Sequence, residues 1–185
     1  MRVRTPALVV AAGAVALAGV AVGAAPAVKR GVKSAPCSIQ SGASFPHLFT
    51  DPASVVVGPF AFSHLRNAAT ASDDNIKRHG GWKSPAVLRI KHRALVTIDK
   101  GSRSYARLDY THAGGAFRRR PYAMRFVACT KASEALSDAD GKPVTFWSGF
   151  FVVNKVPACV GIKIKVDRRR ARHYTIAIGR AACEG

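Results

Sequence analysis

The sequence predicts an all-β fold: an antiparallel β-sandwich, Ig-like only in the loose architectural sense, of about eight strands behind an N-terminal hydrophobic export helix. Three observations predict it. From Val55 onward, short apolar, β-branched or aromatic runs alternate with Gly, Pro and Asp punctuation. The later runs alternate apolar and polar residues with a period of two. No segment after residue 30 keeps a helical period over three turns.

The export segment comes first. Arg2 and Arg4 precede an uncharged stretch from Thr5 to Val28, rich in Ala, Val, Leu and Gly, with small residues near its end. That is the layout of a signal peptide cleaved after Ala24 or Ala27. A retained membrane anchor over residues 5–28 is the competing reading, because the stretch is long enough to span a bilayer. Residues 28–53 carry Pro, Ser, Gly and Lys with little periodicity and read as a flexible stalk, and residues 54–185 read as the β domain.

The expected strands are Val55 to Ser63, Ala86 to Lys91, Ala94 to Lys100, Tyr105 to Thr111, Met124 to Lys131, Thr145 to Asn154, Cys159 to Val166 and His173 to Gly179. The seventh has the clearest pattern. Val160, Ile162, Ile164 and Val166 alternate with Gly161, Lys163 and Lys165, which points one face inward and a basic face outward. A short helical turn is expected to start near Ser72. Phe146, Trp147, Phe150 and Phe151 are expected to supply core.

Cys37, Cys129, Cys159 and Cys183 all follow the export segment. An even count in an exported chain predicts two disulfides. Cys129 closes one expected strand and Cys159 opens another, while Cys37 and Cys183 sit near the two ends of the mature chain, so the expected bridges are Cys129–Cys159 and Cys37–Cys183. Without a C-x-x-C pair, these cysteines do not suggest zinc.

The chain has 29 basic and 10 acidic residues, a formal net charge of +19. Loss of Arg2 and Arg4 with the leader leaves 27 basic residues and a charge of about +17. Such a field attracts polyanions: envelope glycopolymers, lipid headgroups, acidic glycans or extracellular nucleic acid, without specific nucleic-acid recognition. Two clusters are the anion-binding candidates: Arg118, Arg119 and Arg120, and then Arg168, Arg169, Arg170 and Arg172. Guanidinium groups on one loop suit bidentate contact with phosphate or carboxylate, although clustered Arg at strand ends also blocks edge aggregation.

Other chemistry is thinly represented. The histidines at 47, 64, 79, 92, 112 and 173 show no metal-ligand spacing, and Ser148 lies outside any G-x-S-x-G elbow. Asp138-Ala139-Asp140-Gly141 has part of a calcium-loop pattern without its distal Glu and reads as a turn. No catalytic residue, metal or cofactor is assigned.

Met124-Arg125-Phe126-Val127-Ala128-Cys129, the Phe146 to Val152 run, Cys159-Val160, Val56 to Phe60 and Ala86-Val87-Leu88 together resemble a set of small exported proteins of actinobacteria with no assigned activity. The resemblance covers roughly residues 55–180. It implies export and β architecture, and carries over no catalytic residue. The expected function is an exported, non-catalytic β domain of the envelope or medium that binds an anionic polymer or surface through its Arg loops. The alternatives are a structural envelope accessory protein with incidental charge, and a hydrolase whose site assembles from distant residues.

Overall fold

The computed structural model describes residues 32–42, 47–111, 116–180 and 183. The export segment lies outside the described residues, as do His112 and residues 28–31 and 43–46 of the expected stalk. Thirteen strands and one α-helix are described, and the strands form three largely antiparallel sheets.

The first sheet is β1 (Val32–Ala35), β8 (Ala123–Val127), β6 (Arg93–Ile98), β12 (Ala158–Val166) and β13 (Arg172–Ile178), in that spatial order. The second is β2 (Val55–Val57), β3 (Phe60–Phe62), β5 (Ala86–Arg89), β10 (Pro143–Trp147) and β9 (Leu136–Ser137). The third is β4 (Gly81–Lys83), β11 (Phe150–Val153) and β7 (Ala106–Asp109). Two expected strands divide. Gly58, at φ +57°, turns Val55 to Ser63 into the β2–β3 hairpin. Ser148 and Gly149 separate β10 from β11, which pair in different sheets.

The α-helix α1 (Asp73–His79) starts where its sequence provides a cap. Ser72 Oγ accepts the Asn75 N–H, Asp73 and Asp74 occupy the first turn, and Lys77, Arg78 and His79 the last. That charge order complements the helix dipole. Gly80, at φ +68°, ends the helix with its N–H bonded to the Ile76 and Lys77 carbonyls.

The three sheets meet through aromatic side chains. Phe60, Phe62 and Trp147 come from the second sheet, Phe126 from the first and Phe151 from the third, with Tyr110 just beyond β7. Their ring centroids lie 4.8–6.2 Å apart in edge or tilted pairs, each worth about 0.5–1.5 kcal/mol beyond burial. Of the four aromatics expected in the core, Phe150 alone stays half-exposed.

Two expectations are corrected. The bridges are Cys37–Cys129 and Cys159–Cys183, not Cys129–Cys159 and Cys37–Cys183. The cause is strand pairing. β1 runs parallel to β8 with Ala35 opposite Phe126, which brings the two chain ends that follow, and so Cys37 and Cys129, together. Cys159 lies opposite Ala177 in β12–β13, and the chain returns past Gly179, at φ +67°, to place Cys183 beside it. Two structural disulfides belong to an oxidising compartment.

The expected stalk, where it is described, is part of the folded body. Val32–Ala35 is a sheet strand, the Pro36 carbonyl accepts the Trp147 indole N–H at 3.0 Å, and the Ser41 N–H donates to the Phe146 carbonyl. Leu48 is buried with Val87, Val144 and Phe146, with Phe49 packed alongside, so this segment covers the second sheet's other face. Among the described residues no helix is long and apolar enough to cross a membrane.

Candidate functional site: a basic end on the first sheet

The β12–β13 hairpin presents its arginines because alternation fixes which side chains turn inward. Val160, Ile162, Ile164 and Val166 are buried, so Lys163 and Lys165 face solvent, and the turn begins at Asp167. Asp167 adopts a left-handed φ of +50°, a conformation that Asp tolerates better than most residues. Its carboxylate fastens the turn to the start of β6: Oδ1 accepts the Arg93 N–H at 2.9 Å, and Oδ2 lies 2.8 Å from His92 Nδ1. Burial alone would raise the Asp167 pKa, but these two bonds, with the charges of His92 and Arg169, hold it below its ordinary value.

Arg168, Arg169 and Arg170 form the exposed tip and Arg172 opens β13. A groove of about 390 Å³ separates the tip from the β2–β3 turn, lined by Arg169, Arg170 and Arg172 against Val57 and Gly58. A second groove, of about 400 Å³, lies on the solvent face of the sheet between Arg93, Arg125, Lys165 and Arg168, with Leu95 and Asp167 in its lining. Seven cationic side chains thus line the two grooves together with one carboxylate. The residues that sequence reasoning missed are Arg93 and Arg125, together with the part played by Lys165. Each is a lone charge on its strand, and only register brings them side by side.

The other arginine cluster is elsewhere. Arg118–Arg120 precede β8, whose first residue, Ala123, pairs with Thr97, whereas its last, Val127, pairs with Arg93 beside the hairpin. The two clusters therefore sit at opposite ends of β8. Arg120 Nε lies 3.4 Å from Asp109 Oδ2, while Arg118 and Arg119 are exposed. Nearby, Arg107 stacks on Phe117 and Arg103 on Tyr122. Burial, and then the charge of Arg103, lower the Arg107 pKa.

One chain of polar contacts has the residue types of a hydrolytic triad. Ser63 Oγ is 3.0 Å from His64 Nδ1, and His64 Nε2 is 3.4 Å from Asp51 Oδ2. Ser63 is wholly buried, so no scissile carbonyl can reach it. Asp51 also accepts the Ser54 hydroxyl and the Ala53 N–H, which makes the group a clamp on the loop before β2.

Asp138 is likewise committed. Oδ1 accepts the Asp140 and Lys142 N–H groups, and Oδ2 pairs with Arg89 at 2.8 Å, so the Asp138–Gly141 segment is a turn locked by its first residue. Among the described residues, no three His, Cys, Asp or Glu side chains gather as a metal site. No protein-family model, curated protein or solved structure matches this chain.

Proposed function

We propose that this protein is an exported, non-catalytic β domain of the cell envelope or medium, free or held by residues 5–28, which binds an anionic polymer or surface through the β12–β13 end of its first sheet. The observation that carries the reading is the set of seven cations, Arg93, Arg125, Lys165, Arg168, Arg169, Arg170 and Arg172, lining the two grooves to which the hairpin turn contributes, with Asp167 as the lone carboxylate in their linings. That carboxylate offsets one of the seven charges and is held in place by His92 and the Arg93 amide, so the two grooves stay strongly positive. The two disulfides support an oxidising location outside the cytoplasm.

The test separates a local site from the chain's general positive charge. Retention on an anionic-polymer resin is measured as the salt concentration of elution for two variants that each remove two charges. The Arg169→Gln/Arg170→Gln protein is expected to elute well before wild type, and Arg118→Gln/Arg119→Gln close to it. Equal shifts in the two variants would show that binding follows net charge alone and would overturn the assignment.

A further inference from the structure

The groove on the sheet face holds a carboxylate among its cations, and that combination narrows the ligand. Leu95 lies in register with Arg125 on one side and Lys165 on the other. The two basic residues are therefore about 10 Å apart at the backbone, two strand spacings of about 4.8 Å. Cross-strand neighbours of opposite charge stabilise a sheet and like charges do the reverse. Here both neighbours of Leu95 are cations, with Arg93 and Arg168 in the same lining, so an anion seated over Leu95 relieves the repulsion. Side chains as long as Arg and Lys can converge across that gap.

Asp167 works against most anions. A carboxylate bordering an anion site repels a fully deprotonated oxyanion, but it accepts a hydrogen bond from one that carries a proton. Each Asp167 oxygen has one partner, the Arg93 amide or His92, and each has a second lone pair to offer. Hydrogen phosphate and a singly protonated phosphomonoester carry a P–OH donor. Sulfate, carboxylates and phosphodiesters do not.

We propose that this groove is a site for a protonated phosphate group, with Arg93, Arg125, Lys165 and Arg168 holding its anionic oxygens and Asp167 accepting its P–OH. The site rests on the anion-binding reading above and names the chemistry it selects.

The full chain is titrated calorimetrically with inorganic phosphate and with sulfate at matched ionic strength and one slightly alkaline pH. Phosphate is expected to bind about tenfold more tightly or better, the scale of one hydrogen bond to a charged group. Asp167→Asn is the discriminating variant, because Asn also tolerates a left-handed φ and its side-chain oxygen can still accept the Arg93 N–H. In it, sulfate is expected to bind as well as phosphate. Arg125→Gln/Lys165→Gln is expected to lose both anions with an unfolding midpoint no lower than that of wild type.

Glycerol phosphate, titrated beside inorganic phosphate at about pH 6 so that much of the phosphomonoester keeps its P–OH, supplies the second arm. Binding as tight as inorganic phosphate assigns the site to a terminal phosphomonoester, and much weaker binding assigns it to free phosphate. Equal affinity for phosphate and sulfate in the wild type, or selectivity that survives Asp167→Asn, would overturn the proposal. Either result alongside an intact difference between the Arg169/Arg170 and Arg118/Arg119 variants on the polymer resin would remove phosphate selectivity alone. Phosphate selectivity without that difference would remove the polymer reading alone.

Discussion

Tyr110 shows how much one side chain can fix. Its ring packs against Phe62 and Phe126, and its hydroxyl donates to the Ser84 carbonyl at 2.6 Å. Gly149 backs the ring so closely that a Cβ there would lie 2.2 Å from Tyr110 Cδ1, which leaves room for no other residue. Burial, and then the charge of Asp109, raise the Tyr110 pKa well above 10.0, so the folded protein keeps a phenol that the unfolded chain ionises. The contribution is present below the unfolded pKa and is lost as pH climbs beyond it. Above pH 10.0 the unfolding free energy should fall by as much as about 1.4 kcal/mol per pH unit through this group. Urea unfolding across the alkaline range checks it against Tyr110→Phe. The variant should lose about 1–3 kcal/mol at neutral pH, where the Ser84 carbonyl loses its donor, and should show a shallower alkaline decline.

At the scale of elements, the disulfides divide the work unequally. Cys37–Cys129 closes a separation of 92 residues and Cys159–Cys183 one of 24. Loop-closure entropy assigns them about 4–5 and about 3–4 kcal/mol. Replacing Cys37 and Cys129 by Ser should therefore cost about 1 kcal/mol more than replacing Cys159 and Cys183, and more still where β1 detaches from β8. Denaturant midpoints of the two paired variants measure the difference. The same elements show what could be read from the sequence. β12 and β13 were legible because a half-buried strand must alternate, and the start of α1 because Ser72 marks it. β1 was not, because Val32-Lys33-Ser34-Ala35 has no apolar pattern of its own and is a strand only by pairing with β8. That omission led directly to the wrong disulfide partners. The candidate site divides in the same way: Arg168–Arg172 is a visible charge run, whereas Arg93, Arg125 and Lys165 join it only through register.

The chain carries a formal charge of +19, and self-repulsion of that size opposes compaction. Raising the sodium chloride concentration should therefore raise the thermal midpoint, as the Debye length shrinks from about 10 Å at 0.1 M to about 3 Å at 1 M. Thermal melts across that range check the sign; a midpoint that falls with salt would mean that attractive pairs such as Arg89–Asp138 and Arg120–Asp109 outweigh the repulsion. The three sheets also share a constraint that no single sheet reveals. β10 and β11 are nearly one continuous ribbon, with only Ser148 and Gly149 between a segment hydrogen-bonded into the second sheet and one hydrogen-bonded into the third. That corner has no slack and is wedged by the Tyr110 ring. Neither sheet can peel away without levering the other, so the corner acts as a rivet that makes two sheets one mechanical unit.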